Sequence, residues 1–215
     1  MSLSAELKIY LDVNFKGLKL FRPLFFAGAF GLRFDLQDAV LETSEDAYFE
    51  EVVRRMDKIH AITTTENDDI LLLYRKDTYK RRKIRLANYL FKQISKNATI
   101  ELKRRRTPFY DYEGVNASVR SCQVLIKDSV NNINFHNLYV AISNMDFGRS
   151  PVLEDREGEL YIINLTRNTV TIMYDDRGCD IISYDVSLLK EYYNQLSDLI
   201  LEVNRPEIIN KLNII

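Results

Sequence analysis

Apolar residues recur three and four positions apart at Leu3, Leu7, Tyr10 and Leu11, which predicts a short amphipathic helix ending near Asn14 or Gly17. The period then falls to two. In FGLRFDL, Phe30, Leu32, Phe34 and Leu36 alternate with Gly31, Arg33 and Asp35, so a half-buried strand is expected with Arg33 and Asp35 on its polar face. Thr43 followed by Asp46 opens the next helix, whose stripe of Phe49, Val52, Val53, Met56 and Ile59 carries it to about Ala61.

Further along, DDILLLYRKD reads as a buried strand, IRLANYLFKQI as a helix, and TIELKRRR as a strand with Ile100 and Leu102 on one face. SCQVLIKDS is a further strand and NFHNLYVAISNM a further helix. After a loop carrying Gly148 and Pro151, ELYIINLT, TVTIMY and CDIISY are short strands joined tightly enough to predict an antiparallel meander. Leu188, Leu189, Tyr192, Tyr193, Leu196, Leu199, Ile200 and Val203 mark a long terminal helix. It starts after Asp185 or Ser187, lies across the sheet and stops or restarts at Pro206.

About five helices among mostly antiparallel strands predict an α+β fold, not a doubly wound parallel one. The stretches from FGLRFDL to ILLLY and from CQVLI to LYIIN both read strand, helix, strand, which raises a duplicated β-α-β arrangement as an expectation. With 215 residues, 46% of them hydrophobic, the chain can bury a sizeable core. Only 7 Gly and 4 Pro and the lack of any linker-like tract predict one domain over residues 1–215.

No apolar run reaches the roughly 20 residues needed to cross a bilayer, and the start lacks the layout of a signal peptide, so a soluble protein without a membrane partner is expected. Cys122 and Cys179 lie within apolar runs and read as buried free thiols, which suits a cytoplasmic location. His60 and His136 have no ligand spacing around them. They read as packed or capping residues, and no metal or cofactor is expected.

A net charge of −1 conceals a polarised chain. Residues 75–106 hold thirteen basic residues against Asp77 and Glu101, so the segment carries +11 and the remainder −12. Arg81, Arg82, Lys83, Arg104, Arg105 and Arg106 are its candidates for polyanion binding, with Tyr74, Tyr79, Tyr89 and Phe91 interleaved as stacking groups. The same charges suit a solvated helix face, a blunted strand edge or an acidic protein partner, and no helix-turn-helix, ribonucleoprotein motif or zinc knuckle accompanies them.

YDDRGCDIIS raises the sharpest chemical question. Adjacent Asp175 and Asp176 can bind a hard cation and Arg177 a phosphate, the ingredients of phosphoryl transfer. No glycine-rich cradle, third acid or nucleophile–base pair completes that set. The bland reading explains the residues better: Asp175 opens a tight turn, Gly178 supplies a positive φ, and Asp176 and Arg177 occupy exposed central positions.

LDVNFKGLKLFRPLFFAGAFGLRFDL near the start and YIINLTRNTVTIMYDDRGCDIISYDVSLLKEYYNQLSDLILEVNR near the end together resemble a bacterial family known only as domain of unknown function thirty-eight eighty-five. Its Arg-Phe-Glu strand, Tyr-Asp-Asp-Arg-Gly turn and terminal arginine fall on Arg33-Phe34, on Tyr174 to Gly178 and on Arg205, with Asp35 standing where the family more often has glutamate. The resemblance implies an α+β fold, a bacterial cytoplasmic origin and candidate binding residues Arg33, Asp35, Asp175, Asp176, Arg177 and Arg205. It implies no reaction. The expected function is a non-enzymatic interaction protein with a protein partner, in analogy to small immunity proteins; the alternative is a nucleic-acid binder or phosphate-handling enzyme using the acidic turn and the basic segment.

Overall fold

The computed structural model describes residues 1–78, 84–85, 87–105, 109–111, 114–116, 120–153 and 158–214. Helix α1 (Leu3–Asn14) is capped by the Ser2 side chain, which accepts from Ala5 N. It ends where Lys16 and Gly17 turn left-handed and Gly17 N reaches back to Leu11 O. Strand β1 (Gly31–Asp35) and helix α2 (Asp46–Thr63) follow, then β2 (Asp69–Thr78), β3 (Thr99–Arg105), a short β4 (Phe109–Asp111) and β5 (Gly114–Asn116) pair, and β6 (Arg120–Ser129). Helix α3 (Phe135–Ser143), strands β7 (Gly158–Asn164), β8 (Thr169–Asp175) and β9 (Gly178–Ser183), and helices α4 (Val186–Gln195) and α5 (Arg205–Leu212) complete the chain.

Seven strands form one antiparallel sheet in the order β1-β9-β8-β7-β2-β6-β3, so the fold is α+β, with the predicted meander β7-β8-β9 at its centre. Both strand–helix–strand units exist. β6-α3-β7 skips over β2, whereas β1-α2-β2 crosses three strands, so the two differ in reach.

Both faces of the sheet are covered, which explains why ILLLY is continuously apolar. Ile70, Leu72 and Tyr74 point into the core beneath α2, α3, α4 and α5, and Leu71 and Leu73 point into a second core beneath α1.

Two predicted helices are corrected. Among its described residues IRLANYLFKQI holds a 3₁₀ turn, Tyr89–Lys92, and no α-helix, because the Asn88 side chain caps Leu90 N while Leu90 plugs the core. The terminal helix breaks at Leu196 into 3₁₀ turns and restarts at Arg205, with Pro206 in its first turn, since residues 200–201 leave the helical path to bond the free edge of β1. Leu201 N donates to Arg33 O and Val203 is 78% exposed.

Candidate functional site

The site grows from the register between β1 and β9. Arg33 stands opposite Asp180 and Asp35 opposite Gly178, and strand alternation puts all four on the sheet face that α1 covers further along. The β8–β9 turn brings its own contacts to the same end. A register shift between Met173 and Asp175 swings Tyr174 out of the regular ladder.

Gly178 is required here for a reason other than the one its turn position suggests. Among the described residues the left-handed glycines are Gly17 and Gly148; a Cβ on Gly178 would instead sit 2.4 Å from Phe34 O and 2.4 Å from the Tyr174 hydroxyl. The absence of a side chain lets β1 close onto the turn, where Leu36 N donates to Arg177 O.

A cleft of about 640 Å³ opens where the end of β1 meets this turn, lined by Arg22, Arg33, Asp35, Asp146, Tyr174 and Arg177 among others. Arg22 Nε donates to Glu159 Oε1 at 2.8 Å and its Nη1 to Tyr174 O at 3.1 Å. Arg177 folds back on Asp175, with Nε donating at 3.0 Å and Nη2 donating to the same oxygen, while Asp175 Oδ1 accepts Arg177 N at 2.8 Å. Asp35 accepts Gln37 N through one oxygen, and neither Asp35 nor Asp146 has an ion-pair partner among the described residues.

Arg33 is the most enclosed of the three cations, its side chain only 18% exposed. Its guanidinium lies over the rings of Phe26 and Tyr174, 5.7 and 5.6 Å from their centroids, with the Tyr174 hydroxyl and Asp180 as polar neighbours. Asp180 is fully buried, and its Oδ1 lies 3.4 Å from Arg33 Nε without forming a hydrogen bond; both atoms lack a hydrogen-bond partner among the described residues. The other oxygen accepts Phe25 N at 3.0 Å. Burial pushes the Asp180 pKa up to about 6, against the pull of the backbone donor at Phe25 and of Arg33. Burial likewise pushes the Tyr174 hydroxyl up to about 12.

The structure thus gathers four sequence candidates, Arg33, Asp35, Asp175 and Arg177, and separates two others. Asp176 is not at an exposed turn position: it is 4% exposed and faces the other core, where the Tyr48 hydroxyl donates to it at 2.5 Å and Gln37 Nε2 donates to that hydroxyl at 2.9 Å. Burial raises the pKa of Asp176 and pushes Tyr48 up to about 12. Arg205 braces the chain end, donating to Glu202, the Tyr193 hydroxyl and Ser197 O, and does not line the cleft.

Of the basic segment, Arg75 is turned inward, donating to Glu159 Oε2 and Leu20 O at 2.6 Å each, and Lys76 is buried. Arg104 and Arg105 end the edge strand β3; Arg81, Arg82, Lys83 and Arg106 lie outside the described residues. His60 packs on Phe135 and bonds the Tyr139 hydroxyl, its pKa lowered to about 4 by burial, and His136 pairs with Asp57 at the surface. Cys122 and Cys179 are free thiols. Among the described residues there is no group of three or more His, Cys, Asp or Glu placed to hold a metal, and no helix long and apolar enough to cross a membrane.

Sequence reasoning missed Arg22, Asp146, Asp180 and Tyr48, and named Tyr174 only as the first residue of the turn motif. Asp180 carried a signal, a lone acid inside the apolar run CDIISY, which predicts a buried carboxylate in need of a partner. Arg22 and Asp146 carried none, because they reach the cleft from loops.

The model of a family described as a domain of unknown function (DUF3885) matches residues 7–204. An uncharacterised protein of Bacillus subtilis strain 168, YnaE, is 23% identical over 206 residues, covering 90% of this chain and 96% of that protein. No solved structure matches.

Proposed function

The chain belongs to the DUF3885 family, and we propose that it is a non-enzymatic binding protein whose cleft at the sheet end receives an anionic group of a partner protein. One observation carries this reading: Arg33 lines the cleft with a side chain largely out of water, against the Phe26 and Tyr174 rings, and makes no hydrogen bond with Asp180, the acid beside it. A desolvated guanidinium with spare donors gains most from an acceptor that replaces the missing water, because charge-assisted hydrogen bonds strengthen away from solvent. Arg22 and Arg177 bring further donors to the same space from other parts of the chain.

The acids of the turn favour binding over phosphoryl transfer. Asp175 is committed to Arg177 and Asp176 to Tyr48, so neither carboxylate is poised for a cation or a reacting proton. A reducing cytoplasm is part of this reading, supported by Cys179, a fully buried free thiol whose pKa burial pushes well up.

The test is affinity capture from lysate of the source cells, with and without nuclease, comparing the natural chain with the double variant Arg33→Gln, Asp180→Asn. The paired change removes both charges together and so avoids leaving a buried carboxylate without its counter-ion. The proposal expects the captured partner to survive nuclease and to be lost from the folded double variant. Undiminished capture by that variant would refute it, and capture abolished by nuclease would favour the nucleic-acid reading.

A further inference from the structure

Resting on the recognition reading above, we infer that the group the cleft takes is a singly charged planar carboxylate, an aspartate or glutamate side chain or a chain terminus, and not a phosphate. The argument is one of charge left over. Each of the three guanidiniums already has an acid beside it, Asp180 for Arg33, Asp175 for Arg177 and, for Arg22, Glu159, which Arg75 shares, so four guanidiniums face three carboxylates. What they offer a ligand is therefore N–H donors, with little net positive charge behind them.

The remaining acids of the lining, Asp35 and Asp146, have no ion-pair partner among the described residues. A phosphate monoester brings about −1.5 to −2 charges at neutral pH, so it would meet this acidic mouth at roughly twice the repulsion a carboxylate meets. Shape points the same way. Phe26 and Tyr174 lie against the Arg33 guanidinium and restrict its orientation, and a flat two-oxygen group can meet such a planar fork edge to edge.

The experiment is an NMR titration of the isotope-labelled full chain, following the arginine Nε–H signals. The probes are N-acetyl-glutamate amide, its glutamine counterpart and inorganic phosphate, at matched ionic strength and pH 7. The capped glutamate should shift the Arg33 signal with a Kd on the order of 1 mM, and the other two should bind at least about tenfold more weakly. Arg177→Gln paired with Asp175→Asn, so that the buried Asp175 is not left without its counter-ion, should weaken the glutamate probe about threefold to tenfold in a variant that remains folded.

Phosphate binding as tightly as the glutamate probe would overturn the carboxylate assignment and leave the cleft as a recognition site. Equal binding of the glutamine probe would show that charge is not read, with the same consequence. If no probe shifts Arg33 while partner capture still depends on the Arg33–Asp180 pair, the carboxylate assignment falls alone. If capture is also indifferent to that pair, both readings fall.

Discussion

Gly178→Ala adds one methyl group, and the geometry specifies what that group meets. The new Cβ would lie 2.4 Å from Phe34 O and 2.4 Å from the Tyr174 hydroxyl, against an ordinary contact of about 3.4 Å or more. Tyr174 is a side chain and can swing aside. Phe34 O cannot, because β1 is held on one edge by β9 and on the other by the bonds to Leu201 N and the Phe34–Ile200 bridge. Relief requires β1 and the turn to part by about 1 Å, which places the cost at the upper end of overpacking, about 3 kcal/mol.

For a chain of this size each kcal/mol lowers Tm by about 2–4 °C, so the variant should melt about 6–12 °C below the natural chain. Gly148→Ala is the control. Gly148 has φ +68 and open space around its Cβ position, so alanine there meets only backbone strain and should cost about 1 kcal/mol. Thermal and urea unfolding of the two variants side by side make the comparison. A Gly178→Ala cost no larger than that of Gly148→Ala would refute the close approach of β1 to the turn, and with it the construction of the cleft.

Leu196 is fully buried where the terminal helix breaks, and Leu196→Ala should lower stability by about 2–5 kcal/mol, seen as a lower urea midpoint with the slope preserved. Asp180 has a folded pKa of about 6 against an ordinary 3.8, so the folded chain binds the extra proton. Its contribution to stability is full below about pH 3.8 and is lost as pH rises through 6, by about 3 kcal/mol in all. Asp180→Asn should remove that component. The difference in urea midpoint between natural chain and variant, measured from pH 4 to 7, should change in the variant's favour with rising pH; a constant difference would rule out the raised pKa.

The sequence by itself determined the element types wherever a period ran long enough to be read. The stripe of α2, the alternation in β1 and the three closely spaced strands from Glu159 to Ser183 all follow from side chains meeting one environment repeatedly. It also singled out Arg33, Asp35, Asp175 and Arg177 as residues worth watching. Where helical spacing misled, at Asn88 and after Leu196, a cap or a long-range strand contact outweighed local preference.

Only the tertiary structure decided what the charged residues do. Asp176 and Arg177 are neighbours in the turn, yet one is buried against Tyr48, 128 residues away, and the other is exposed. Gly178 reads as a turn glycine until β1 is laid beside it. Arg33 reads as a solvated strand residue until Asp180 pairs across from it and Phe26, Tyr174 and Arg22 close in. Periodicity reports the average environment of a face, whereas the fate of a single charge depends on which one or two atoms come within about 3–4 Å of it. Those atoms come from elsewhere in the chain, and only the packing of the sheet brings them there.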